Sequence, residues 1–313
     1  MPRVCVIGSA NLDFTVALPR LPRVGETMSG GALLVNRGGK GANQAVAARR
    51  LGAEVRLIGC VGEDASGAKI REGLAAEGIG VEGMMTVADA ATGTALIFVD
   101  GEGRNQIGVA PGANHRITVE MARRHADSIA WAQVLLCQLE IPLPVVRWAL
   151  ETARRSGVIT LLNPAPVQPL TDADLKLVEY LTPNEGEAAA LAGAEVRDVE
   201  SAHGAALRLL ERGARRVIVT LGGQGALACD ARGTYHFPAF PVEVVDTTAA
   251  GDAFCGALAV GLAAGGTLEQ AIPLAGAAAA LACTRRGAQD ALPTRAEVER
   301  YLQSLRRGGP ARP

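Results

Sequence analysis

Short, almost uninterrupted apolar runs alternate along this chain with stretches of helical length and pattern. Residues 4–7 read as a strand that stops at Gly8, 41–51 as a helix, 55–60 as a strand and 65–77 as a helix. The rhythm returns with strands at 134–137, 158–162, 178–181 and 217–221, and with helices at 144–155, 188–191 and 202–210. A strand with one solvated face alternates apolar and polar residues, whereas one that is apolar throughout is covered on both faces. Parallel neighbours need a crossover connection, and the intervening helices supply it. The predicted fold class is therefore α/β, a three-layer sandwich around a mostly parallel central sheet.

Two segments break the rhythm. Residues 14–35 carry Pro19, Pro22 and several glycines around short apolar runs, and 92–109 reads as two strands joined at Asp100-Gly-Glu-Gly, a hairpin signal. They predict a small β-sheet lid, at about 12–38 and 92–110, beside the main body. The last third predicts short antiparallel strands within 226–245, closing helices at 251–264, 268–283 and 295–305, and a frayed tail at 306–313. No internal repeat or linker interrupts the series, so one continuous domain over 1–313 is the expected organisation.

Hydrophobic residues make up 49 % of the chain, enough for a sizeable core, and the net charge of −1 gives no support to a nucleic-acid or anionic-membrane partner. Aromatics are only 3 %, so the binding site is not expected to be an aromatic cage. None of the six cysteines has metal-ligand spacing, and they read as buried small hydrophobes in a reducing compartment. The four histidines show no metal spacing either. The most apolar long stretch, 271–283, is too short to span a bilayer and contains Pro273 and Gly276. No secretory apolar region precedes Asn11 and Asp13, so a soluble, cytoplasmic protein is expected.

Five motifs carry polar or glycine-rich chemistry. Gly38-Gly39-Lys40-Gly41-Ala42-Asn43-Gln44 opens a helix; its glycines let backbone approach a ligand, and Lys40 and Asn43 add donors at the helix start. It departs from a Walker A loop, because Gly41 stands where Ser or Thr belongs, and from a dinucleotide fingerprint, because Gln44 replaces the third glycine. A plain glycine turn with a helix cap accounts for it equally well. Asp246-Thr-Thr-Ala-Ala-Gly251-Asp252 links a strand expected to end near Val245 to a helix starting at about Gly251. Free N–H groups at that helix start form an anion hole, and Asp252 beside it is either a helix-dipole residue or a general base. Val219-Thr-Leu-Gly-Gly-Gln-Gly225 runs a strand into a glycine turn at the sheet edge, where α/β proteins bind ligands, although an isolated hairpin would look the same. Thr182-Pro-Asn184-Glu-Gly-Glu187 places Asn184 and Glu187 on one side of a helix start, as ligand groups or as a capping box. Asn11-Leu12-Asp13 puts two polar side chains on one face, for a ligand or for a turn.

In this order, Gly38-Gly39-Lys40-Gly41-Ala42-Asn43 and Asp246-Thr-Thr-Ala-Ala-Gly-Asp252 resemble the two signatures of the ribokinase-like, or PfkB, carbohydrate kinase family. The resemblance extends from Val4 to about Leu305. Gly25-Glu-Thr27, Gly112-Ala-Asn114, Leu162-Asn-Pro-Ala-Pro166 and Thr284-Arg-Arg-Gly-Ala-Gln289 are similar to the members that act on D-ribose. Many relatives have Gly-Ala-Gly-Asp where this chain has Ala249-Ala250-Gly251-Asp252.

The resemblance implies the ribokinase-like fold, and transfer of a phosphoryl group from ATP to the primary hydroxyl of D-ribose; the alternatives are a kinase of the same family for 2-deoxyribose, fructose or a nucleoside and, further off, a catalytically inactive sugar-binding regulator. It implies that Asn11, Leu12, Asp13, Gly39, Lys40, Gly41, Ala42, Asn43 and Glu140 form the sugar site. Asp252 would be the base, with Ala249, Ala250 and Gly251 supplying the backbone of the anion hole. Asn184, Thr220, Leu221, Gly222, Gly223, Gln224, Gly225 and Gly276 would hold the nucleotide, and Glu187 would orient water around Mg²⁺. Asp246, Thr248, Ala282, Arg285 and Gly287 match a monovalent-cation (K⁺) loop, where Ala291 replaces a serine found in some members. A homodimer formed through the lids is also implied.

Overall fold

The computed structural model describes residues 1–102 and 104–306. The expected tail beyond Arg306, and Gly103 in the hairpin turn, lie outside the described residues. The chain opens with β1 (Arg3–Ile7), β2 (Asn11–Ala17), β3 (Leu33–Gly38), α1 (Lys40–Arg50), β4 (Glu54–Gly62) and α2 (Ala65–Ala76). There follow β5 (Met84–Val87), β6 (Gly93–Val99), β7 (Asn105–Ala110), α3 (Val119–Arg123), α4 (Ala126–Trp131), β8 (Val134–Cys137), α5 (Leu143–Arg155), β9 (Ile159–Leu162), α6 (Asp172–Leu175) and β10 (Tyr180–Leu181). The last part comprises α7 (Glu185–Ala192), α8 (Val199–Glu211), β11 (Arg216–Thr220), β12 (Ala226–Asp230), β13 (Gly233–Phe237), α9 (Ala250–Ala263), α10 (Leu268–Ala282) and α11 (Arg295–Arg306).

Nine strands form the main sheet in the order β13-β12-β11-β10-β9-β8-β1-β4-β5. The contacts from β11 through β5 are parallel, and only β12 and β13 run antiparallel at one edge. The apolar strands divide their side chains between two cores, as their period of two requires. Val4 and Val6 join one core with α1, α9 and α10, while Cys5 and Ile7 join the other with α5 and α8. Val134 and Leu136 likewise oppose Leu135 and Cys137. The three-layer α/β sandwich follows directly from this split.

A second sheet has the order β3-β2-β6-β7, at the place the sequence assigns to a small β-element. Its strand register puts Asp13, Ala95 and Val109 on one face with Thr15, Leu34, Ile97 and Ile107. Phe14 and Val35 point the other way and pack on the main core.

Two expectations are corrected. The antiparallel strands end at Phe237, and 238–249 is irregular, so no strand leads to Val245. Pro238 and Pro241 have no N–H to give a ladder, and Val244 and Val245 are exposed, so this apolar run has no sheet to join. The strand expected at 178–181 shrinks to Tyr180–Leu181. The edge strand β5 and the short helices α3, α4 and α6 went unforeseen, being too brief to establish a period. Among the described residues no helix is long and apolar enough to cross a membrane.

Candidate active site

The parallel strands bring their C-terminal ends together. Gly8 to Ala10 follow β1, Gln138 to Glu140 follow β8, Asn163 follows β9, Thr182 to Asn184 follow β10, and the glycine turn follows β11. Ligands of open α/β sheets bind at this end. A cavity of about 200 Å³ opens there, lined by Lys40, Asn184, Glu187, Thr220, Gly251 and Asp252 among others. A larger depression of about 420 Å³ lies at the N-terminal end of β4, between Glu54, Arg56, Glu82 and Ser128. There Arg56 stacks on the Trp131 ring, 4.1 Å from its centroid. The cavity holding the motif residues is the candidate site.

Helix α9 places Asp252 in its first turn, 5 % exposed. The Asn43 amide donates to Asp252 Oδ2 (2.9 Å) and the Gln44 amide to Oδ1 (3.0 Å), so each carboxylate oxygen has a donor. The helix enters through Ala249 at φ 60°, the one non-glycine residue with positive φ among the described residues. Such strain clusters at functional turns. The Ala250 N–H is engaged by the Thr247 carbonyl (3.2 Å), while those of Gly251 and Asp252 have no backbone acceptor among the described residues. The open end of the helix is thus formed by Gly251 and Asp252, an anion-accepting arrangement.

On the α1 side of the cavity, Gly39 (φ 86°) caps α1 beside β1's exit. A Cβ there would lie 2.7 Å from the Asn11 nitrogen, so only glycine lets the two segments meet. Glu140 accepts the Lys40 N–H (3.0 Å) and the Ser9 hydroxyl (2.5 Å), while Gly41 and Ala42 are buried at this junction. The Asn114 amide donates to Asn11 Oδ1 (2.7 Å), leaving the Asn11 amide as a donor; Leu12, between Asn11 and Asp13, turns into the core. Asp13 Oδ1 and Asn43 Oδ1 are buried acceptors without a partner. Burial pushes the Asp13 carboxyl up to about 7, reinforced by the nearby Glu140 and Asp252. The Asp252 carboxylate holds the Lys40 ammonium above its ordinary value against the opposing effect of burial, and Glu140 and Glu187 add to it. The charges of β2, α1, α7 and α9 therefore share one electrostatic field.

On the opposite side, Asn184 and Glu187 do form the reciprocal capping box of α7. Glu187 spends one lone pair per oxygen on Asn184 and still lines the cavity, so cap and ligand group coexist. Burial raises the Glu187 carboxyl above its ordinary value. Asn184 bridges to Thr220 beside it, and the turn of Leu221, Gly222, Gly223, Gln224 and Gly225 is pinned by His236, whose ring meets the Gln224 carbonyl at 2.8 Å. Gly276 lies outside the cavity lining and packs against Phe240. Cys255 lines the cavity at 3.4 Å from the Thr182 hydroxyl, and burial pushes its thiol up to about 12, which disfavours the thiolate.

Asp246 accepts the N–H (2.9 Å) and hydroxyl (2.6 Å) of Thr248 and the N–H of Gly287 (3.0 Å). Burial opposes these bonds, yet they hold its carboxyl below the ordinary value. This clasp joins the 246–248 turn to the segment carrying Ala282, Arg285 and Gly287, with the Cys283 carbonyl accepting the Val245 and Asp246 N–H groups. Asp246 is the one carboxylate of this clasp, and with backbone carbonyls it would make an oxygen set of low charge, the kind that suits a large monovalent ion. Ala291 is buried and brings no side-chain oxygen.

Ser9, Gln44, Asn114, Gln138, Asn163 and Thr247 escaped the sequence reading as site residues. Asn114 and Asn163 stand in words already noted for their resemblance, and Gln138 is a polar residue directly after an apolar strand. Those were the available signals.

Residues 1–295 match the pfkB family carbohydrate kinase description. The chain is 41 % identical over 298 residues to a ribokinase of Haemophilus influenzae, covering 95 % of this chain and 97 % of that one. It superposes on a ribokinase from Thermotoga maritima with a TM-score of 0.87 and 37 % identity, covering 97 % and 100 % of the two chains. An Arabidopsis thaliana ribokinase complexed with ribose and ATP gives a TM-score of 0.90 at 31 % identity, covering 96 % and 98 %. This chain belongs to the pfkB family of carbohydrate kinases and has the ribokinase fold.

Proposed function

We propose that the protein transfers the terminal phosphoryl group of ATP to the 5-hydroxyl of D-ribose, giving ribose 5-phosphate and ADP. The observation that carries this reading is Asp252, a buried carboxylate fixed by two amide donors beside the open N–H groups of α9. Asp252 takes the hydroxyl proton as the sugar oxygen bonds to the γ-phosphorus and the bond to the ADP oxygen breaks. The Gly251 and Asp252 N–H groups, with Ala249 and Ala250 shaping the turn, stabilise the phosphoryl oxygens where charge is largest. Asp13 and Asn43 offer unpartnered buried acceptors, which suit a ligand rich in hydroxyl donors. Asn11, Lys40 and Glu140 complete the sugar side, and Asn184, Glu187 and the 220–225 turn complete the nucleotide side, with Gly276 beneath Phe240 near the base.

Mg²⁺ bound with the nucleotide would neutralise phosphate charge, and Glu187 would orient its water. Asp246, Thr248, Ala282, Arg285 and Gly287 would hold K⁺. The second sheet acts as a lid, and its Asp13 face joins a second copy in a homodimer. The test is a coupled ADP-release assay across pentoses, hexoses and nucleosides, with Asp252→Asn as control. D-ribose should give the highest kcat/KM, and Asp252→Asn should lower kcat by about 10²–10⁴. Preference for a nucleoside or hexose would overturn the substrate, and near-normal turnover by Asp252→Asn would overturn the base.

A further inference from the structure

We propose that Gln44 is a positioning residue for this reaction: it locks the Asp252 carboxylate in the rotamer that meets the substrate hydroxyl. The inference rests on Asp252 being the base.

Gln44 is fully buried on α1, with no exposed surface. Its Nε2 donates to Asp252 Oδ1 (3.0 Å) and to Asn163 Oδ1 (3.1 Å), and its Oε1 accepts from Gln138 Nε2 (2.5 Å). The orientation of this amide is dictated from outside. Asn163 Nδ2 donates to the Thr182 carbonyl (3.0 Å), a backbone acceptor that cannot exchange roles. Asn163 must therefore turn its oxygen toward Gln44, and only the nitrogen of Gln44 can face that oxygen. An amide nitrogen has two hydrogens, and the second points to Asp252. The backbone of β10's exit thus fixes, through Asn163 and Gln44, which face of the carboxylate is held.

The helices permit this reach. A Cβ at Gly256, one turn beyond Asp252 on α9, would lie 2.6 Å from Ala47 Cβ and 2.8 Å from the Gln44 carbonyl. Glycine there lets α9 approach α1 closely enough for a glutamine side chain to span the gap. Asn43 holds Asp252 Oδ2 from the same helix and keeps an unpartnered buried oxygen for a ligand, whereas Gln44 does not line the cavity and reaches it only through the residues it holds. Its effect on the reaction passes through the two lining residues it holds, Asp252 and Asn163, and an Asp252→Asn background separates the two routes.

A base misplaced by about 1 Å can lose about 10²-fold in rate. Two variants test the role. Gln44→Met keeps length and removes both donors; Gln44→Glu keeps shape and the bond from Gln138 but presents acceptors to Asp252 and Asn163. Each should lower kcat by about 10- to 100-fold, with KM for ribose and ATP within about twofold. In an Asp252→Asn background the same changes should alter the residual rate by less than about twofold, because the group they position is gone. Near-normal kcat in either folded variant overturns the proposal. So does an equal loss in both backgrounds, or a loss carried by the ribose KM. Failure of both variants to fold would assign Gln44 to the core and overturn it as well. If Asp252→Asn alone keeps near-normal kcat, the reading of the base fails first, and the two failures are distinguishable.

Discussion

Asp13 shows how a single side chain couples charge to binding. Its carboxyl sits at about 7 because burial and the charges of Glu140 and Asp252 disfavour ionisation. A sugar hydroxyl donating to Asp13 favours the ionised form, so ribose binding should release a proton near neutral pH. KM for ribose should rise as pH falls below about 7, approaching tenfold per unit well below it, and Asp13→Asn should flatten the profile. A ribose KM that stays constant from pH 8 to 6 would refute this role. The stability sign is opposite to that of a salt-bridged carboxylate. The folded value lies above the unfolded one, so the Asp13 penalty is full above pH 7, shrinks as pH falls through the folded value, and is gone below the unfolded one.

At the scale of elements, the turn into α9 combines a strained residue with a clasp. Ala249 adopts φ 60°, where glycine pays no Cβ penalty. Ala249→Gly should therefore stabilise the protein by about 1 kcal/mol, raising Tm by roughly 2 °C, as read by calorimetry. A lowered Tm would show that the turn is held in this shape without strain. The clasp is Asp246, which ties 246–248 to Gly287. With K⁺ replacing a bulky organic cation at fixed ionic strength and Mg²⁺, kcat should rise by about tenfold, less than the loss from removing an anion-hole donor outright. Asp246→Ala should abolish that rise, and equal rates in both salts would mean the loop is held by protein contacts alone. The two features differ in legibility. Asp252 at a helix start was readable because helix termini follow local rules, whereas the irregular 238–249 was misread because Val244 and Val245 are apolar without being buried. The Gln44–Asn163–Thr182 chain was not readable, since it joins residues far apart in sequence and no local pattern marks which buried amides will meet.

At the scale of the molecule, the main sheet was legible because strands covered on both faces must be apolar where they are buried, as β8 is throughout and β1 and β11 are over 4–7 and 217–219. The second sheet was legible as an interruption of that rhythm, but what covers it was not. Its register places exposed Leu34, Ile107 and Val109 on the face that carries Asp13, with Ile97 between them. An apolar row beside a buried carboxylate is what a second copy would cover, and burying it would also exclude water from the sugar site. Such a contact would be isologous, the same face meeting itself about a two-fold axis. Light scattering behind size exclusion should therefore find a dimer. Ile107→Glu should shift it to monomer, because a carboxylate in the middle of an apolar interface carries a desolvation penalty on both copies. The monomer should keep its fold but bind ribose more weakly, with the loss in KM larger than the loss in kcat, because Asp13 belongs to the second sheet whereas Asp252 belongs to the main body. A variant that stays dimeric would place the contact on another face, and a wild-type monomer with full activity would show that the lid closes the site alone.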